Sequence, residues 1–277
     1  NSPSRTSDVP APSVSPQQRD DDAIDRHNVR IIEMLKDIDF EDMEADEALG
    51  WAAESLGADR VILNTSLQMA GVAMIHMATS AGLGIRVATI DTLRLPPETY
   101  SFLHEIEERY GINIEVCRPD AEKVDRMVRR FGEFLFFDGK HLQEHCCKVR
   151  KTDPNNELLK TADCWISGLR RDQSTLREQT PKATSVTEHG SKRRILKLNP
   201  MADWTQERLQ SFVDEHDIPQ HPLYAQGYQS IGCVICSTPT LPGEDARAGR
   251  WRWFNNPDDI SAEDAKECGL HIPMYNI

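Results

Sequence analysis

The sequence predicts an α/β protein with a parallel-rich central sheet and helices flanking it. Three observations lead there. Short apolar, β-prone runs recur at 60–65, 85–90 and 111–117, and each is followed by a stretch with helical apolar spacing. Strands alternating with helices at this interval make βαβ units, because a parallel neighbour is reached only through a crossover. The third is bulk: 277 residues, 39% hydrophobic and 28% charged, can bury the core of one large α/β domain or two small ones.

In chain order, residues 1–22 are rich in Ser, Pro, Gln and Asp and have no apolar core, so they read as a disordered leader and not as a signal peptide. Two helices are expected near 25–35 and 42–56. The first strand, 60–65, leads into a helix over 69–79. The second, 85–90, leads into a helix over 97–110 that opens on Pro97, whose missing N–H would be unpaired in a first helical turn anyway. The third, 111–117, leads into a helix over 121–130. Further strands are expected at 163–167 and 194–197, and a helix at 205–216 with Thr205 near its cap. Beyond Pro219 the chain turns irregular, rich in Gly, Pro and aromatic residues.

The formal net charge of −13 gives a nucleic-acid partner no electrostatic help, so none is expected. An anionic small substrate would need a local basic site. Basic residues cluster at 148–151, 170–177, 192–197 and 247–252, although a solvated face is the commoner meaning of any one cluster. No apolar run approaches the roughly 18 residues of a membrane span. A cytoplasmic protein is expected, and a homo-oligomer is compatible with the sequence.

Seven cysteines, an odd number without a secretory signal, argue against a disulfide framework and for metal or thiol chemistry. Cys146 and Cys147 are adjacent, and Cys233 and Cys236 form a C-x-x-C. A C-x-x-C alone is ambiguous among zinc, redox and cluster roles. Structural zinc sites space their ligands by two to four residues, so the vicinal pair favours a cubane, whose irons lie several Å apart. A chance meeting of buried thiols and a redox pair is the alternative. Cys268 sits between Lys266 and His271, which favour a thiolate and nucleophilic sulfur chemistry; an inert exposed thiol is the competing reading. Trp251 and Trp253 read as packing residues.

Several ordered blocks resemble the assimilatory adenylyl-sulfate reductases, relatives of the phosphoadenylyl-sulfate reductases with a PP-loop adenine-nucleotide hydrolase-like fold. The blocks are DTLRLPPETY at 91–100, CCKVRK at 146–151, WISGLRRDQS at 165–174, NPMADW at 199–204, PLYAQGY at 222–228, SIGC at 230–233, GEDARAGRW at 243–251 and ECGLH at 267–271. The resemblance implies that Cys268 attacks the sulfonucleotide sulfur, expels AMP and carries an S-sulfocysteine, from which thioredoxin or a similar dithiol releases sulfite. It implies a [4Fe–4S] cluster on Cys146, Cys147, Cys233 and Cys236, and with it adenylyl sulfate as substrate. It also divides the chain into the leader 1–22, a nucleotide-binding α/β domain with the iron–sulfur site at 23–245, and a flexible, redox-active tail at 246–277.

The same resemblance assigns substrate contacts. Ser66 and Gln68 lie in its modified phosphate loop, before a helix N-terminus that favours an anion. Asp91, Thr92 and Arg94 follow the second strand, at the carboxyl edge of the sheet where ligands bind. Lys151, Arg170, Arg171, Arg247 and Arg250 supply the cations. Two roles are open to His271, lowering the Cys268 pKa or binding the sulfonate, beside that of a plain tail residue.

Three departures stand out. The family commonly has Gly where this chain has Leu93. The loop 66–71 lacks an acidic residue that many members carry, and Ser237-Thr238-Pro239 replaces Thr-Arg-Pro, so one cation is missing. No thioredoxin-like domain follows His271 in the sequence, which implies an external thiol donor. Competing readings are a phosphoadenylyl-sulfate or dual-substrate reductase, a non-catalytic cluster- or zinc-binding regulator, and a tRNA thiolation enzyme, which the charge disfavours.

Overall fold

In a computed structural model, which describes residues 16–254, the chain forms a six-stranded sheet with helices on both faces. Helices α1 (Pro16–Asp37) and α2 (Ala45–Leu56) precede strand β1 (Val61–Asn64), followed by α3 (Met69–Ser80), β2 (Arg86–Ile90), α4 (Pro97–Tyr110), β3 (Ile114–Cys117) and α5 (Ala121–Phe131). Then come α6 (Lys140–Cys147), a π turn (Lys148–Thr152), α7 (Asp153–Leu159), β4 (Cys164–Ile166), β5 (Ala183–Thr187), β6 (Arg194–Leu198) and α8 (Gln206–Glu215). The strand order is β3-β2-β1-β4-β6-β5, with every pairing parallel except β5 against β6. No helix among the described residues is long and apolar enough to cross a membrane.

Local chemistry sets the boundaries. The Glu47 carboxylate accepts the Glu44 N–H, Asp120 accepts from Lys123 N, and Thr205 accepts from Arg208 N, each satisfying a donor at a helix start. Helix α4 starts on Pro97, and its end is set by Gly111 at φ 63°. That left-handed cap takes 111–113 out of the third strand, which begins only at Ile114.

Other differences have equally local causes. Helix α1 begins at Pro16, well before the expected 25, and so takes in part of the leader. Strand β5 was not foreseen: Ala183-Thr-Ser-Val-Thr187 is a polar edge strand whose partner, β6, supplies the ladder. The π turn follows from Pro154. With no N–H there to bond Arg150, the backbone widens, and the Asp153 N–H bonds the Lys148 carbonyl instead.

The main core lies between β1, α2, α3, α4 and α8, with Val61, Leu63, Val72, Met74, Ile75, Phe102, Ile106 and Leu209 essentially excluded from solvent. Helix α3 is apolar on nearly every side because the sheet, α2 and α8 surround it. Gly71 lets it press against the end of β1, since a Cβ there would run into the Thr65 hydroxyl. The packing fixes the loop between β1 and α3.

Candidate functional site

A cavity of about 880 Å³ opens at the carboxyl ends of the strands, walled by the segments after β1, β2 and β4, by α6 and the π turn, and by 227–251. In an open α/β sheet a crevice forms where neighbouring crossovers leave in opposite directions. That point is the β1–β4 junction, and Asn64, Thr65, Ser66, Ser167 and Gly168 all line the cavity.

The loop after β1 is tightly folded. Leu67 is buried at φ 57°, and its N–H donates to Thr65 Oγ1 at 2.9 Å. Gln68 Nε2 donates to Ser66 Oγ at 2.7 Å, while its Oε1 accepts the Ile231 N–H at 3.0 Å. The first N–H of α3, that of Met69, donates to the Tyr224 hydroxyl at 3.1 Å. Ser66 and Gln68 line the cavity, and Gln68 also ties the β1–α3 loop to the C-x-x-C loop.

After β2 the expected residues divide. Asp91 is buried, and its carboxylate accepts from Leu93 N (2.8 Å), Tyr100 Oη (2.8 Å) and Arg118 Nε (3.0 Å). Asp91 lies behind the wall as an anchor and does not line the cavity. Burial first, and then this bond to Asp91, push the Tyr100 hydroxyl up to about 12. Thr92 and Arg94 do line the cavity. The Thr92 hydroxyl stands 3.1 Å from Cys233 Sγ, and the Arg94 carbonyl accepts the Val234 N–H at 2.8 Å. The Arg94 guanidinium lies over Phe136 at 5.1 Å and bonds the Glu133 carbonyl at 2.7 Å.

The four cysteines Cys146, Cys147, Cys233 and Cys236 meet in one wall of the cavity. Cys146 and Cys147 close α6, and Cys233 and Cys236 bracket a single 3-10 turn. Burial raises the Cys146 thiol, Arg94 and Arg150 oppose that rise, and Cys233 adds to it. Burial pushes Cys236 up to about 12, with Cys233 and Cys146 contributing repulsion. Gln143 Nε2 donates to Cys147 Sγ at 3.1 Å. Among the described residues no group of three or more His, Cys, Asp or Glu side chains is arranged to hold a single metal ion.

Cations surround that wall. Lys151, Arg170, Arg247 and Arg250 line the cavity, as does Arg150, a residue not singled out from sequence although it stands in the 148–151 basic run. Arg150 is buried, donates to the Thr92 carbonyl at 3.1 Å, and has no hydrogen-bond partner at Nε. Arg250 Nε donates to the Cys236 carbonyl at 3.1 Å, and its guanidinium lies 4.7 Å from the Trp251 ring centroid. Trp251 is buried, as its packing role requires. Arg170 bonds Asp172 at 3.0 Å and Gln206 at 2.7 Å. Arg171 departs from expectation: it turns away from the cavity to Glu41 (2.6 Å) and the Thr180 carbonyl (2.9 Å). Cys268 and His271 lie outside the described residues.

Chemically, the wall joins soft thiol donors to several guanidinium and ammonium groups, beside a helix N-terminus. That combination suits a compact polyanion held against a sulfur-ligated centre.

Comparison with known proteins agrees. The phosphoadenosine phosphosulfate reductase domain matches residues 60–239. The adenosine 5′-phosphosulfate reductase of Burkholderia cepacia is 38% identical over 214 residues, covering 77% of this chain and 81% of its own. That of Allochromatium vinosum is 37% identical over 213 residues, covering 77% and 79%. Among solved structures, a phosphoadenylyl-sulfate reductase from Candida auris, as a phosphate complex, shares the fold: TM-score 0.59 at 20% identity, covering 83% of this chain and all of that one.

Proposed function

Since the chain belongs to the phosphoadenosine phosphosulfate reductase family, a family of oxidoreductases, we propose that it reduces adenylyl sulfate to sulfite and AMP in sulfate assimilation. One observation carries the choice of nucleotide: the four cysteines implied for the adenylyl-sulfate branch converge on one wall of the nucleotide-sized cavity. The donor set fits a [4Fe–4S] cluster. Four thiols come from the end of α6 and from the 233–236 turn, Thr92 and Gln143 stand within hydrogen-bond distance of two of them, and Arg150 keeps an unpaired buried Nε beside Cys146. When bound, the cluster supplies a fixed charge centre at the back of the anion site.

The chain's own residues do the rest. The N-terminal turn of α3, with Ser66 and Gln68, receives the phosphate side of the nucleotide. Lys151, Arg170, Arg247 and Arg250 neutralise charge on the phosphate and sulfonate as the bond between them breaks. The Cys268 thiolate attacks the sulfonate sulfur; the S–O bond to AMP breaks, the phosphate oxygen leaves with the electron pair, and Cys268 carries the sulfonate. A donor thiolate then attacks Cys268 Sγ, sulfite departs, and the donor's second thiol resolves the mixed disulfide, so the dithiol gives two electrons. Thioredoxin or a similar dithiol fits this role, in a reducing compartment such as the cytoplasm. His271, three residues after Cys268 in the sequence, takes the role of lowering the pKa of that thiol.

Two measurements test the reading. Anaerobic protein is assayed for iron, sulfide and a broad band near 400 nm; about four irons per chain are expected, and stoichiometric zinc without colour rules the cluster out. Labelled adenylyl sulfate is then offered to the wild type and to Cys268→Ser. Label retained on Cys268 in the wild type alone is expected, and sulfite release by the variant rules the nucleophile out. Turnover faster with phosphoadenylyl sulfate would shift the substrate assignment.

A further inference from the structure

Arg247 and Arg250 are both buried, and their guanidinium groups converge on one hydroxyl. Arg247 Nη1 lies 3.5 Å and Arg250 Nη1 3.4 Å from Ser230 Oγ. Two cations brought together out of water repel each other, and a slack loop would let them separate. This loop is fastened twice. Its neck closes where the Thr238 N–H donates to the Gly249 carbonyl at 2.9 Å, beside an antiparallel bridge between Ser237 and Arg250. The two backbones run so close there that a Cβ on Gly249 would collide with the Thr238 carbonyl oxygen.

The second fastening lies outside the cavity. Glu244 and Arg252 form a two-pronged pair, with Nη1 on Oε1 and Nη2 on Oε2, both at 2.8 Å. Arg252 Nε also donates to Thr238 Oγ1 at 3.0 Å, and its Nη2 to the Pro239 carbonyl at 2.9 Å. Glu244 Oε2 accepts the Leu241 N–H at 2.7 Å. Arg252 thus ties the returning arm of the loop to its outgoing arm, and Arg247 and Arg250 lie in the stretch between the two partners. Neither Glu244 nor Arg252 lines the cavity. Arg252 first, and then the Leu241 N–H, hold the Glu244 carboxyl down at about 2, so the pair is charged at neutral pH.

We propose that Glu244 and Arg252 are positioning residues: their ion pair keeps the Arg247 and Arg250 guanidinium groups side by side, so that both meet one anion without first being gathered. The identity of that anion, the phosphosulfate end of adenylyl sulfate, rests on the proposed function. A partly exposed ion pair adds little to stability. An anion that finds two cations already in place is spared the entropy of ordering them. The effect therefore falls on binding and not on the fold.

Three variants test this. Glu244→Gln keeps an acceptor for the Leu241 N–H but loses the charge, Arg252→Gln loses the opposite charge, and Arg252→Lys keeps it. Phenylglyoxal modification of Arg247 and Arg250 in the ligand-free chain, read by mass at each site, needs no substrate. It should run about three- to tenfold faster in the two Gln variants, with Arg252→Lys between them and the parent. Thermal midpoints should stay within about 4 °C. The Kd for adenylyl sulfate, measured by calorimetry in a Cys268→Ser background so that no transfer occurs, should rise by the same factor. Glu244→Gln combined with Arg252→Gln should be no weaker than either alone, because each already breaks the pair. Unchanged modification rates overturn the proposal. So do faster rates with an unchanged Kd, which would make the pair a plain staple of the loop. A Cys268→Ser chain that binds no adenylyl sulfate defeats the proposed function and leaves the modification result standing.

Discussion

His221 is buried and neutral, and acid should unlock it. Its Nδ1 accepts the Leu223 N–H at 3.2 Å, so Nε2 carries the proton and donates to Thr99 Oγ1 at 2.9 Å. The ring thereby fastens the Pro222–Gln226 turn to α4 and sets Tyr224 against the first N–H of α3. Burial lowers its pKa from 6.5 to about 4. A base whose folded pKa is depressed binds its proton first in the unfolded chain. The stability it confers is complete above pH 6.5, is lost as pH falls from 6.5 to about 4, and levels off below. The difference of 6.5 − 4, at about 1.4 kcal/mol per unit, makes a full loss of about 3 kcal/mol, of which about 2 kcal/mol is gone at pH 5. His221→Gln keeps a donor and an acceptor but does not titrate. Urea unfolding of both proteins at pH 7 and pH 5 isolates the contribution, since all other titrating groups are shared. The variant should start about 1–2 kcal/mol less stable at pH 7, yet lose about 2 kcal/mol less on acidification. Equal losses in the two proteins would refute the buried-neutral account.

Leu93→Gly removes a left-handed penalty of about 1–2 kcal/mol and adds about 0.4–1 kcal/mol of unfolded-state entropy. A net gain near 1 kcal/mol, a rise of about 2–4 °C in Tm by calorimetry, is expected, and a fall in Tm would show that the turn is unstrained. Gly232→Ala puts a methyl group against the Arg250 guanidinium. Its Tm should hold while the KM for adenylyl sulfate rises about tenfold, the equivalent of one weakened charge-assisted contact; an unchanged KM removes Arg250 from the substrate site. Arg170→Ala and Arg171→Ala separate the neighbours: the first should raise KM, the second should cost at most about 1 kcal/mol of stability, as exposed pairs do, and leave KM alone. Equal KM effects would mean that Arg171 reaches the substrate.

The contrast between those two arginines shows where sequence reading stopped. Arg170 has extended backbone angles, φ −130° and ψ 150°, so consecutive side chains point to opposite sides. One faces the cavity and the next faces Glu41, and a motif that contains both does not say which. Asp91 lies off the cavity for a related reason. A carboxylate at the end of a strand reads as a ligand contact, but here it accepts the N–H two residues on, holding Leu93 in its left-handed turn. Helix α4 was legible at its start because Pro97 is a chemically clear signal, whereas the left-handed Gly111 that ends it was read into the following strand. The π turn was not legible, since Pro154 removes a bond from Arg150, four residues earlier, and nothing in the spacing of Cys146 and Cys147 reveals it.

The site itself was legible as residue types and illegible as a place. Paired thiols, a C-x-x-C and basic runs are composition and spacing, which survive in one dimension. Their meeting depends on strand order, and no local signal says that β4, formed after α7, inserts beside β1 and not beside β3. That insertion decides the outcome. With β2 on one side of β1 and β4 on the other, the loops after β1 and β4 open into a shared crevice, and the Gln68–Ile231 bond draws the 230–236 loop over it. Cys233 and Cys236 thus reach the end of α6, where Cys146 and Cys147 stand, through contacts made by Gln68, Thr92 and Arg94. Residues assigned from sequence to the substrate therefore also assemble the thiol wall, and substitution of any one of them should disturb both.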